Sequence, residues 1–237
     1  MTFETLAGGL KIAVSSEHRF GTDAFLLEHF AGVRGDDRVL DLCAGCGIVG
    51  LLMLRRMRPP LSVTALEIAG EPFHLMEETR KANALGERFL PIQGDLRKSE
   101  DLPEGGFSLI TCNPPYFEAG TGYLCPAEGR LNQRHENDTS CTVGDVCRAA
   151  ARLLKCGGRF YLCQRPERLC DVLTAMREAK LEPKRLRFVQ KRPDTAPWLF
   201  LAEGKSGGRP GLTVEAPLIV QDEAGDYSPE MKLIYHL

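Results

Sequence analysis

The sequence has no apolar run long enough to cross a membrane. Its most apolar stretches, such as Ile48–Leu54, are far shorter than the roughly 20 residues that a membrane-spanning helix needs. No basic segment followed by an apolar one opens the chain, so we expect no signal peptide. The nine cysteines are an odd number spread through segments with core-like composition, which argues against a secreted disulfide scaffold. These absences indicate a cytoplasmic protein with no membrane partner.

Net charge is also nearly absent, but only because opposite charges cancel. Of the 237 residues, 43% are hydrophobic and 26% are charged, a composition typical of a folded domain rather than a disordered chain. The formal charge is −2, yet residues 148–192 contain 13 Lys or Arg against 4 Asp or Glu, a net charge of +9. Such a basic segment is typical of a polyanion-binding surface, and equally of the solvated outer faces of two helices.

Predicted strands alternate with predicted helices along most of the chain. The predicted strands are Val39–Leu42, Val63–Ile68, Phe89–Gln93, Phe107–Cys112, Arg159–Cys163, Leu186–Gln190 and Trp198–Ala202. The predicted helices are Asp23–Phe30, 48–57, Pro72–Leu85, Val143–Leu154 and Leu169–Ala179. Thr142 and Asp145 predict a capping box for the fourth helix, and Gly157-Gly158 is expected to end it. The alternation predicts an α/β fold, with helices on both faces of a parallel sheet and ligands beyond the carboxyl ends of its strands.

The first 35 residues are predicted to form an extension that packs on this core. Gly8-Gly9 between two short strand-like segments predicts a hairpin, and Thr22 is expected to cap the helix that follows. We therefore divide the chain into an extension over residues 1–35 and one domain over residues 36–237. Within that domain, residues 117–141 form a long irregular segment that we expect to be a substrate loop. The oligomeric state, monomer or homodimer, is left open.

Three acidic residues lie at or just after the carboxyl ends of three predicted strands, around a glycine-rich turn. The turn, Asp41–Gly50, contains the Gly-x-Gly-x-x-Gly pattern of dinucleotide-binding proteins. Asp41 would repel a pyrophosphate at this strand end, whereas it would attract the sulfonium and ammonium of S-adenosylmethionine. Glu67 is expected to accept hydrogen bonds from ribose hydroxyls, and Asp95 from an adenine amino group. The three acids therefore favour S-adenosylmethionine over NAD.

The tetrapeptide Asn113-Pro114-Pro115-Tyr116 directly follows the predicted strand Phe107–Cys112. The two prolines fix φ and force Asn113 into an extended conformation. The amide oxygen of Asn113 and the carbonyl of Pro114 can then converge on one point as rigid acceptors, with the ring of Tyr116 beside them. Two such acceptors on the hydrogens of a planar amino group stabilise the positive charge that grows as its nitrogen attacks a methyl carbon. The tetrapeptide therefore predicts methylation of an amino group.

Together these motifs resemble those of class I S-adenosylmethionine-dependent methyltransferases that modify amino groups. The motifs that carry the resemblance are Asp41–Gly47, Glu67, Asp95 and Asn113–Tyr116. More narrowly, the chain is similar to a bacterial family of tRNA (adenine-N6)-methyltransferases that act next to the anticodon of a valine tRNA. The segments that carry this likeness are Phe20–Leu27, Arg134–Glu136 and Asp226–Glu230. The resemblance implies a Rossmann-like, doubly wound, mostly parallel sheet of seven strands with an antiparallel closing strand.

The resemblance also implies roles for single residues. The residues implied around S-adenosylmethionine are Thr22, Asp23, Asp41, Ala44, Gly45, Cys46, Gly47, Glu67, Ile68, Asp95, Leu96 and Asn113. The catalytic residues implied are Asn113, Pro114, Pro115 and Tyr116. The residues expected to contact tRNA are Arg130, Arg134, His135, Lys184, Arg185, Arg187, Lys191 and Arg192. A target adenine must leave its stack to reach such a pocket, which is easiest in a single-stranded loop such as the anticodon loop.

Other interpretations stay open at this point. A protein glutamine methyltransferase and a DNA adenine methyltransferase would use the same acceptors on a planar amino group. A non-catalytic nucleotide-binding module would share the fold. Cys43-x-x-Cys46 has no second cysteine pair at ligand spacing, so we expect no metal. Trp198, between Pro197 and Leu199, is expected in the core.

Overall fold

A computed structural model describes residues 1–56, 61–98, 102–114 and 141–236, and the structural statements below concern these residues. The strands are β1 (Thr2–Thr5), β2 (Lys11–Val14), β3 (Arg38–Leu42), β4 (Ser62–Glu67), β5 (Phe89–Gln93), β6 (Phe107–Cys112), β7 (Leu154–Gln164), β8 (Leu181–Gln190), β9 (Pro197–Ser206), β10 (Thr213–Val214) and β11 (Leu218–Ile219). The helices are α1 (Thr22–Ala31), α2 (Ile48–Arg56), α3 (Gly70–Ala82), α4 (Val143–Leu153), α5 (Leu169–Glu178) and α6 (Pro229–Tyr235). None of the helices described combines the length and the apolar character that a membrane span requires.

Seven long strands form one sheet in the order β8-β9-β7-β6-β3-β4-β5. All neighbouring pairs from β7 to β5 are parallel, while β9 runs antiparallel to both β7 and β8. The predicted α/β fold, a doubly wound and mostly parallel sheet with an antiparallel closing strand, is therefore confirmed. Two strands of two residues each, β10 and β11, also pair with β8 and bring the sheet to nine strands. Each is too short for the alternation of apolar and polar residues that identifies a strand to be recognised in the sequence.

The chain winds outward from the middle of the sheet in both directions. β3, β4 and β5 follow one another toward one edge, whereas β6 and β7 lie on the other side of β3. A crevice at such a switch point receives residues from the carboxyl ends of several strands at once. Asp41, within β3, and Asn113, directly after β6, are therefore brought to the same edge of the sheet.

Each face of the sheet buries a separate apolar cluster. On one face Leu26 of α1, Leu51 of α2 and Met76 of α3 pack against the sheet, and on the other face Val146 of α4 and Met176 of α5 do so. Every residue of β6 is buried, because this strand lies inside the sheet with helices on both sides. Strands covered on both faces are continuously apolar, which is why the predicted bounds of this strand match those observed.

The amino-terminal extension has the predicted hairpin. β1 and β2 pair antiparallel, and the two glycines between them, Gly8 and Gly9, have φ of +89° and +84°. The hairpin is attached to α3 through the backbone N–H of Ala13, which donates to the Thr79 hydroxyl over 2.9 Å. The division at residues 35 and 36 stays a prediction, and residues 117–140 of the predicted substrate loop lie outside the described residues.

Two local predictions need correction. Thr22 is not the N-cap of α1 but its first residue, and Gly21 precedes it without a side-chain cap. Gly157-Gly158 does not end α4, because β7 begins at Leu154 and continues through both glycines. The capping box of Thr142 and Asp145 is confirmed, with both hydrogen bonds formed. Helix α6, capped by the Ser228 hydroxyl, was not predicted.

Candidate active site

A cavity of about 540 Å³ opens at the carboxyl ends of the central strands. Of the residues predicted to surround a cofactor, all except Thr22 and Gly47 line it. The predicted residues that line it are Asp23, Asp41, Ala44, Gly45, Cys46, Glu67, Ile68, Asp95, Leu96 and Asn113. Pro114 also lines the cavity, whereas Pro115 and Tyr116 lie outside the described residues. The fold thus brings one connected set of predicted residues together from the ends of β3, β4, β5 and β6.

Asp41 is a buried carboxylate at the base of this cavity, only 1% exposed. Its Oδ1 accepts a hydrogen bond of 2.7 Å from the Thr111 hydroxyl, while its Oδ2 is buried without a hydrogen-bond partner among the described residues. Burial raises the pKa of Asp41 to about 7, an effect that the hydrogen bonds of Thr111 and Gly50 oppose and the charge of Glu67 reinforces. An incompletely paired carboxylate in this position suits a cation and disfavours a phosphate.

Glu67 joins the glycine-rich turn to the end of β4. Its Oε2 accepts from the backbone N–H of Gly45 over 2.9 Å, and its Oε1 accepts from that of Ala69 over 3.0 Å. A carboxylate has about four acceptor sites, so two remain after these two bonds. Glu67 is therefore held rigidly and still has acceptor capacity facing the cavity, which suits vicinal hydroxyl groups.

Gly47 lies under the turn rather than in the cavity wall. Its φ is +84°, and a Cβ added there would meet the Phe89 ring at 2.7 Å and Met76 at 2.9 Å. Gly45 also has a positive φ, +55°, but a Cβ there would meet nothing within 4 Å. The predicted role of Gly47 next to a cofactor stays a prediction, and in the structure this glycine allows the turn to pack closely against β5 and α3.

Asp95 follows β5 and forms a tight pair with Arg97. Arg97 donates to Asp95 through its backbone N–H at 2.9 Å and through Nη2 at 2.8 Å. The hydrogen bonds of Arg97 hold the pKa of Asp95 below its usual value, so the carboxylate is charged at neutral pH. Beside it, Ile68 lines the cavity with 44% of its surface exposed, an apolar surface next to an acceptor. This arrangement suits a flat heterocycle with an exocyclic amino group.

Asn113 presents its side-chain oxygen at the rim. Its Oδ1 accepts a hydrogen bond of 2.9 Å from the thiol of Cys163, which lies on the neighbouring strand β7. Asn113 is half-buried and Pro114 is buried, so the start of the tetrapeptide is anchored by the sheet. A side-chain amide held in this way provides a fixed acceptor at the edge of the cavity.

Several lining residues were not predicted from the sequence. Residues 17–20, before α1, contribute His18, Arg19 and Phe20 to the cavity wall. Arg19 is exposed, and it makes no ion pair with any residue that the structure describes. The sequence feature that could have indicated Arg19 is its position directly before the Phe-Gly-Thr-Asp segment. A cation at this position suits a carboxylate group of a bound ligand.

The role of Thr22 next to a cofactor stays a prediction. Thr22 does not line the cavity, and its hydroxyl accepts a hydrogen bond of 2.7 Å from the hydroxyl of Tyr235 in α6. Phe25 packs edge-on against the same Tyr235 ring, with centroids 4.9 Å apart. Helix α6 therefore holds the first turn of α1 in place next to Asp23, which does line the cavity.

The basic segment divides into two groups. Arg185 forms ion pairs with Glu215 at 2.5 Å and Glu203 at 3.1 Å, and its guanidinium lies 4.3 Å from the centre of the Phe30 ring. Arg187 forms a bidentate pair with Glu230, at 2.6 and 2.9 Å. That these two arginines contact tRNA stays a prediction, and the ion pairs with carboxylates of the same chain count against it. Their charges are neutralised by carboxylates of the same chain, so they attach the carboxy-terminal segment to the sheet.

The other group lies at the edge of the sheet where the cavity opens. Lys191 and Arg192 directly follow β8 and are exposed; because β8 runs parallel to β7, its carboxyl end is at the same edge as Asn113. Lys184 lies near the opposite end of β8, with its Nζ 3.2 Å from the carbonyl of Arg209. Trp198, predicted in the core, is 36% exposed in the same β8–β9 hairpin as Lys191. Residues 130, 134 and 135 lie outside the described residues.

Within the described part of the chain, one group of side chains has metal-ligand spacing. Its members are Glu17, His18 and Glu71, whose ligand atoms lie within 4.8 Å of one another. Both glutamates are exposed, and His18 Nε2 is 3.6 Å from Glu71 Oε2, an ordinary ion-pair distance. The group links the segment before α1 to α3 at the rim of the cavity.

Comparison with known proteins gives consistent results. Residues 13–125 match the family model of the methyltransferase small domain. The chain is 30% identical to the tRNA1(Val) (adenine(37)-N6)-methyltransferase of Tolumonas auensis, over 90% of this chain and 86% of that protein. It is 31% identical to the protein of the same name from Bacteroides thetaiotaomicron, over 76% of this chain and 73% of that protein. A solved structure of a predicted O-methyltransferase from Agrobacterium tumefaciens superposes with a TM-score of 0.74 at 21% identity, covering 91% of this chain and 96% of that one. At that identity the last likeness concerns the fold alone.

Proposed function

The chain belongs to the family of the tRNA1(Val) (adenine(37)-N6)-methyltransferases, and from this we propose that it methylates the N6 amino group of an adenine in the anticodon loop of a tRNA, using S-adenosylmethionine. The observation that carries the proposal is the position of Asn113 and Pro114 at the rim of a cavity whose base is the buried Asp41. A tRNA substrate locates the reaction in the cytoplasm.

The side chains of the cavity fit the parts of S-adenosylmethionine. This cofactor supplies an electrophilic methyl group on a sulfonium, and it carries no phosphate that Asp41 would repel. Asp41, whose Oδ2 has no hydrogen-bond partner among the described residues, faces the positive charge, and Arg19 faces the carboxylate of the methionine part. Glu67 accepts from the ribose hydroxyls, while Asp95 and Ile68 receive the adenine amino group and ring. NAD fits the same residues less well because its pyrophosphate would approach Asp41.

Asn113 and Pro114 hold the target amino group. The N6 nitrogen of adenine is a weak nucleophile because its lone pair is delocalised into the ring. The Asn113 Oδ1 and the Pro114 carbonyl accept its two hydrogens, and this localises the lone pair and stabilises the positive charge that develops on nitrogen. In the transfer, the methyl carbon would exchange its bond to the sulfonium sulfur for the new bond to N6, so that the sulfur would leave as a neutral thioether. One of the two hydrogens would then pass to water as a proton. The main contribution of the two acceptors is therefore orientation in a partly desolvated site, not strong general-base catalysis.

The surface for RNA extends from the cavity along the edge of the sheet. Lys191 and Arg192 are exposed there, and Trp198 in the same hairpin offers an aromatic surface for an unstacked base. Arg130, Arg134 and His135 stay predicted contacts, as does Lys184 at the far end of β8. Phosphate contacts of this kind supply affinity and register, whereas the cavity selects the base.

The test is a methylation assay with three substrate classes. Purified protein and labelled S-adenosylmethionine are incubated with transcribed tRNAs, with DNA oligonucleotides of the same anticodon-loop sequences, and with a protein extract. We expect label in a valine tRNA, recovered as N6-methyladenosine by nucleoside mass spectrometry. The Asn113→Ala variant should lose this activity while its affinity for the cofactor stays within about fivefold of wild type, because Asn113 acts on the target amino group. Label in protein or DNA and none in RNA would overturn the proposal.

A further inference from the structure

Cys163 is the neighbour of Asn113 across two adjacent strands. Cys112, the last residue of β6, pairs with Leu162 of β7, so the residues that follow them in the chain, Asn113 and Cys163, lie side by side. Sγ of Cys163 is 2.9 Å from Oδ1 of Asn113. A thiol is a donor and the amide oxygen is an acceptor, so the contact is a hydrogen bond from Cys163 to Asn113.

The surroundings of Cys163 keep this thiol protonated. The side chain is 0% exposed and packs in the same apolar cluster as Leu201. Burial raises the pKa of the thiol well above its ordinary value, and the negative charges of Asp23 and Asp41 raise it further. The thiol is therefore protonated at neutral pH and can serve as a donor there.

A donor at this position distinguishes the two ends of the Asn113 amide. The oxygen and the NH₂ group of an asparagine side chain are nearly equal in size, so packing alone selects poorly between the amide and its flipped form. If the amide flipped, its NH₂ group would face a sulfur that is only a weak acceptor, and it would also face the hydrogens of a target amino group. With Oδ1 in place, one lone pair accepts from Cys163 and the other stays available for the target.

We propose that Cys163 is a positioning residue for methyl transfer: its S–H holds the Asn113 side chain with Oδ1, rather than Nδ2, directed at the target amino group. This inference rests on the proposed function, because it concerns the efficiency of the same site. It assigns no chemical step to the sulfur. Cys163 acts only through Asn113, by keeping an acceptor where a donor would repel the substrate.

The kinetic test compares two substitutions of Cys163 with the same substitutions of Cys147. Cys147 is also a fully buried free cysteine, but it lies in α4 on the opposite face of the sheet and does not line the cavity. The turnover number, the KM for tRNA, the cofactor Kd and the Tm are measured for each variant. Cys163→Ala should lower kcat by about 10- to 100-fold, since loss of orientation at a reacting centre has effects of this size. Its KM and cofactor Kd should change by no more than about threefold, because ground-state binding is retained.

Rescue by serine separates positioning from packing. Cys163→Ser keeps a donor at the same position, so its kcat should stay within about fivefold of wild type even if its Tm falls as far as that of Cys163→Ala. Cys147→Ala and Cys147→Ser should lower Tm without a selective loss of kcat. A wild-type kcat for Cys163→Ala would overturn the proposal, as would a Cys163→Ser variant as slow as Cys163→Ala at equal Tm.

A spectroscopic measurement covers the case in which the Cys163 variants do not fold, and it needs no RNA. The S–H stretching band of a thiol moves to higher frequency when its acceptor is removed. We expect the infrared difference spectrum between wild type and Asn113→Ala to show one S–H band shifted in this direction. An unshifted spectrum would overturn the hydrogen bond. Because this measurement does not depend on any substrate, failure of the positioning proposal is distinguishable from failure of the proposed function.

Discussion

The hydroxyl of Thr111 donates a hydrogen bond of 2.7 Å to Asp41 Oδ1, and both side chains are almost completely buried. The two residues lie directly opposite each other on β6 and β3. At the amino end of β3, Asp37 is also buried, but it is paired with Arg159 at 2.7 Å and with Ser108 at 2.7 Å. Burial raises the pKa of Asp37, yet these partners outweigh it and the pKa is lowered, whereas the pKa of Asp41 is raised to about 7. Asp37 therefore contributes to stability, whereas Asp41 remains available to a ligand.

The first prediction concerns stability without ligand. The folded-state pKa of Asp41, about 7, lies above its usual value of 3.8, so the folded protein binds an extra proton between these pH values. The contribution of Asp41 to stability therefore falls as the pH rises through this window and is smallest above pH 7. Asp41→Asn should raise the Tm of the cofactor-free protein at pH 8 by about 2–4 °C, and by less at pH 5. Scanning calorimetry at both pH values measures this.

Asp37→Asn is the matched control for this substitution. It removes a carboxylate that Arg159 and Ser108 already satisfy, so it should lower Tm at pH 8 rather than raise it. A fall in Tm at pH 8 for both variants would contradict the assignment of Asp41 as an unsatisfied charge.

The second prediction concerns the affinity for the cofactor. Asp41 attracts positive charge only as a carboxylate, and its pKa of about 7 means that protons compete with the cofactor near neutrality. The affinity of the wild-type protein for S-adenosylmethionine should therefore fall as the pH is lowered from 8 to 6, and binding at pH 7 should release protons. Titration calorimetry in two buffers of different ionisation enthalpy measures both effects. The Asp41→Asn variant should bind at least about 100-fold more weakly at pH 8, since a buried charge partner is lost. Proton uptake on binding would contradict this role of Asp41.

The third prediction compares two glycines of the turn. Gly47→Ala combines a positive φ with contacts at 2.7 Å to the Phe89 ring and 2.9 Å to Met76, so we expect it to destabilise the protein by about 2–4 kcal/mol. Gly45→Ala has only the strain of its positive φ, because a Cβ there meets nothing within 4 Å, and it should cost about 1 kcal/mol. Denaturant unfolding of both variants gives the two values. Equal losses would show that packing against Phe89 and Met76 is not what requires a glycine at position 47.

The fourth prediction separates RNA contacts from structural ion pairs. The double variant with Lys191→Glu and Arg192→Glu should weaken tRNA binding and reduce the slope of log K against log salt by about 1–2, because up to two phosphate contacts are lost. Its Tm should stay close to that of wild type, since both side chains are exposed. Binding is measured by filter retention at several salt concentrations. An unchanged slope would show that Lys191 and Arg192 do not contact RNA phosphates.

Arg187→Ala serves as the control for that experiment. Removal of the Arg187 guanidinium leaves Glu230 without its bidentate partner and loosens the attachment of α6 to β8, so the substitution should lower Tm. The salt dependence of tRNA binding should be that of wild type, because this guanidinium is already neutralised. A reduced slope for Arg187→Ala would show that Arg187 contacts a phosphate of the tRNA.

Much of the fold was predictable because the central strands are buried on both faces. The bounds of β6, which is buried throughout, agree with the predicted Phe107–Cys112. The bounds of β5, an edge strand, also agree with the predicted Phe89–Gln93. Strand β8 was harder to predict: it begins at Leu181 rather than Leu186, because its alternating buried and half-buried residues include a proline and several charges. Helix α6 has only seven residues and depends on packing against α1 and β11 rather than on its own periodicity.

The sequence by itself determined which chemical groups stand at the ends of the strands. Asp41, Glu67, Asp95 and Asn113 could be located from local patterns, because the carboxyl ends of parallel strands converge on one edge whatever the details of packing. The tertiary structure alone decided how each charge and donor is used. It paired Arg185 and Arg187 with carboxylates 18 to 43 residues away, and it brought the thiol of Cys163 to Asn113 across 50 residues. Such pairs depend on strand register and on where the chain returns to the sheet, which local composition and periodicity do not encode.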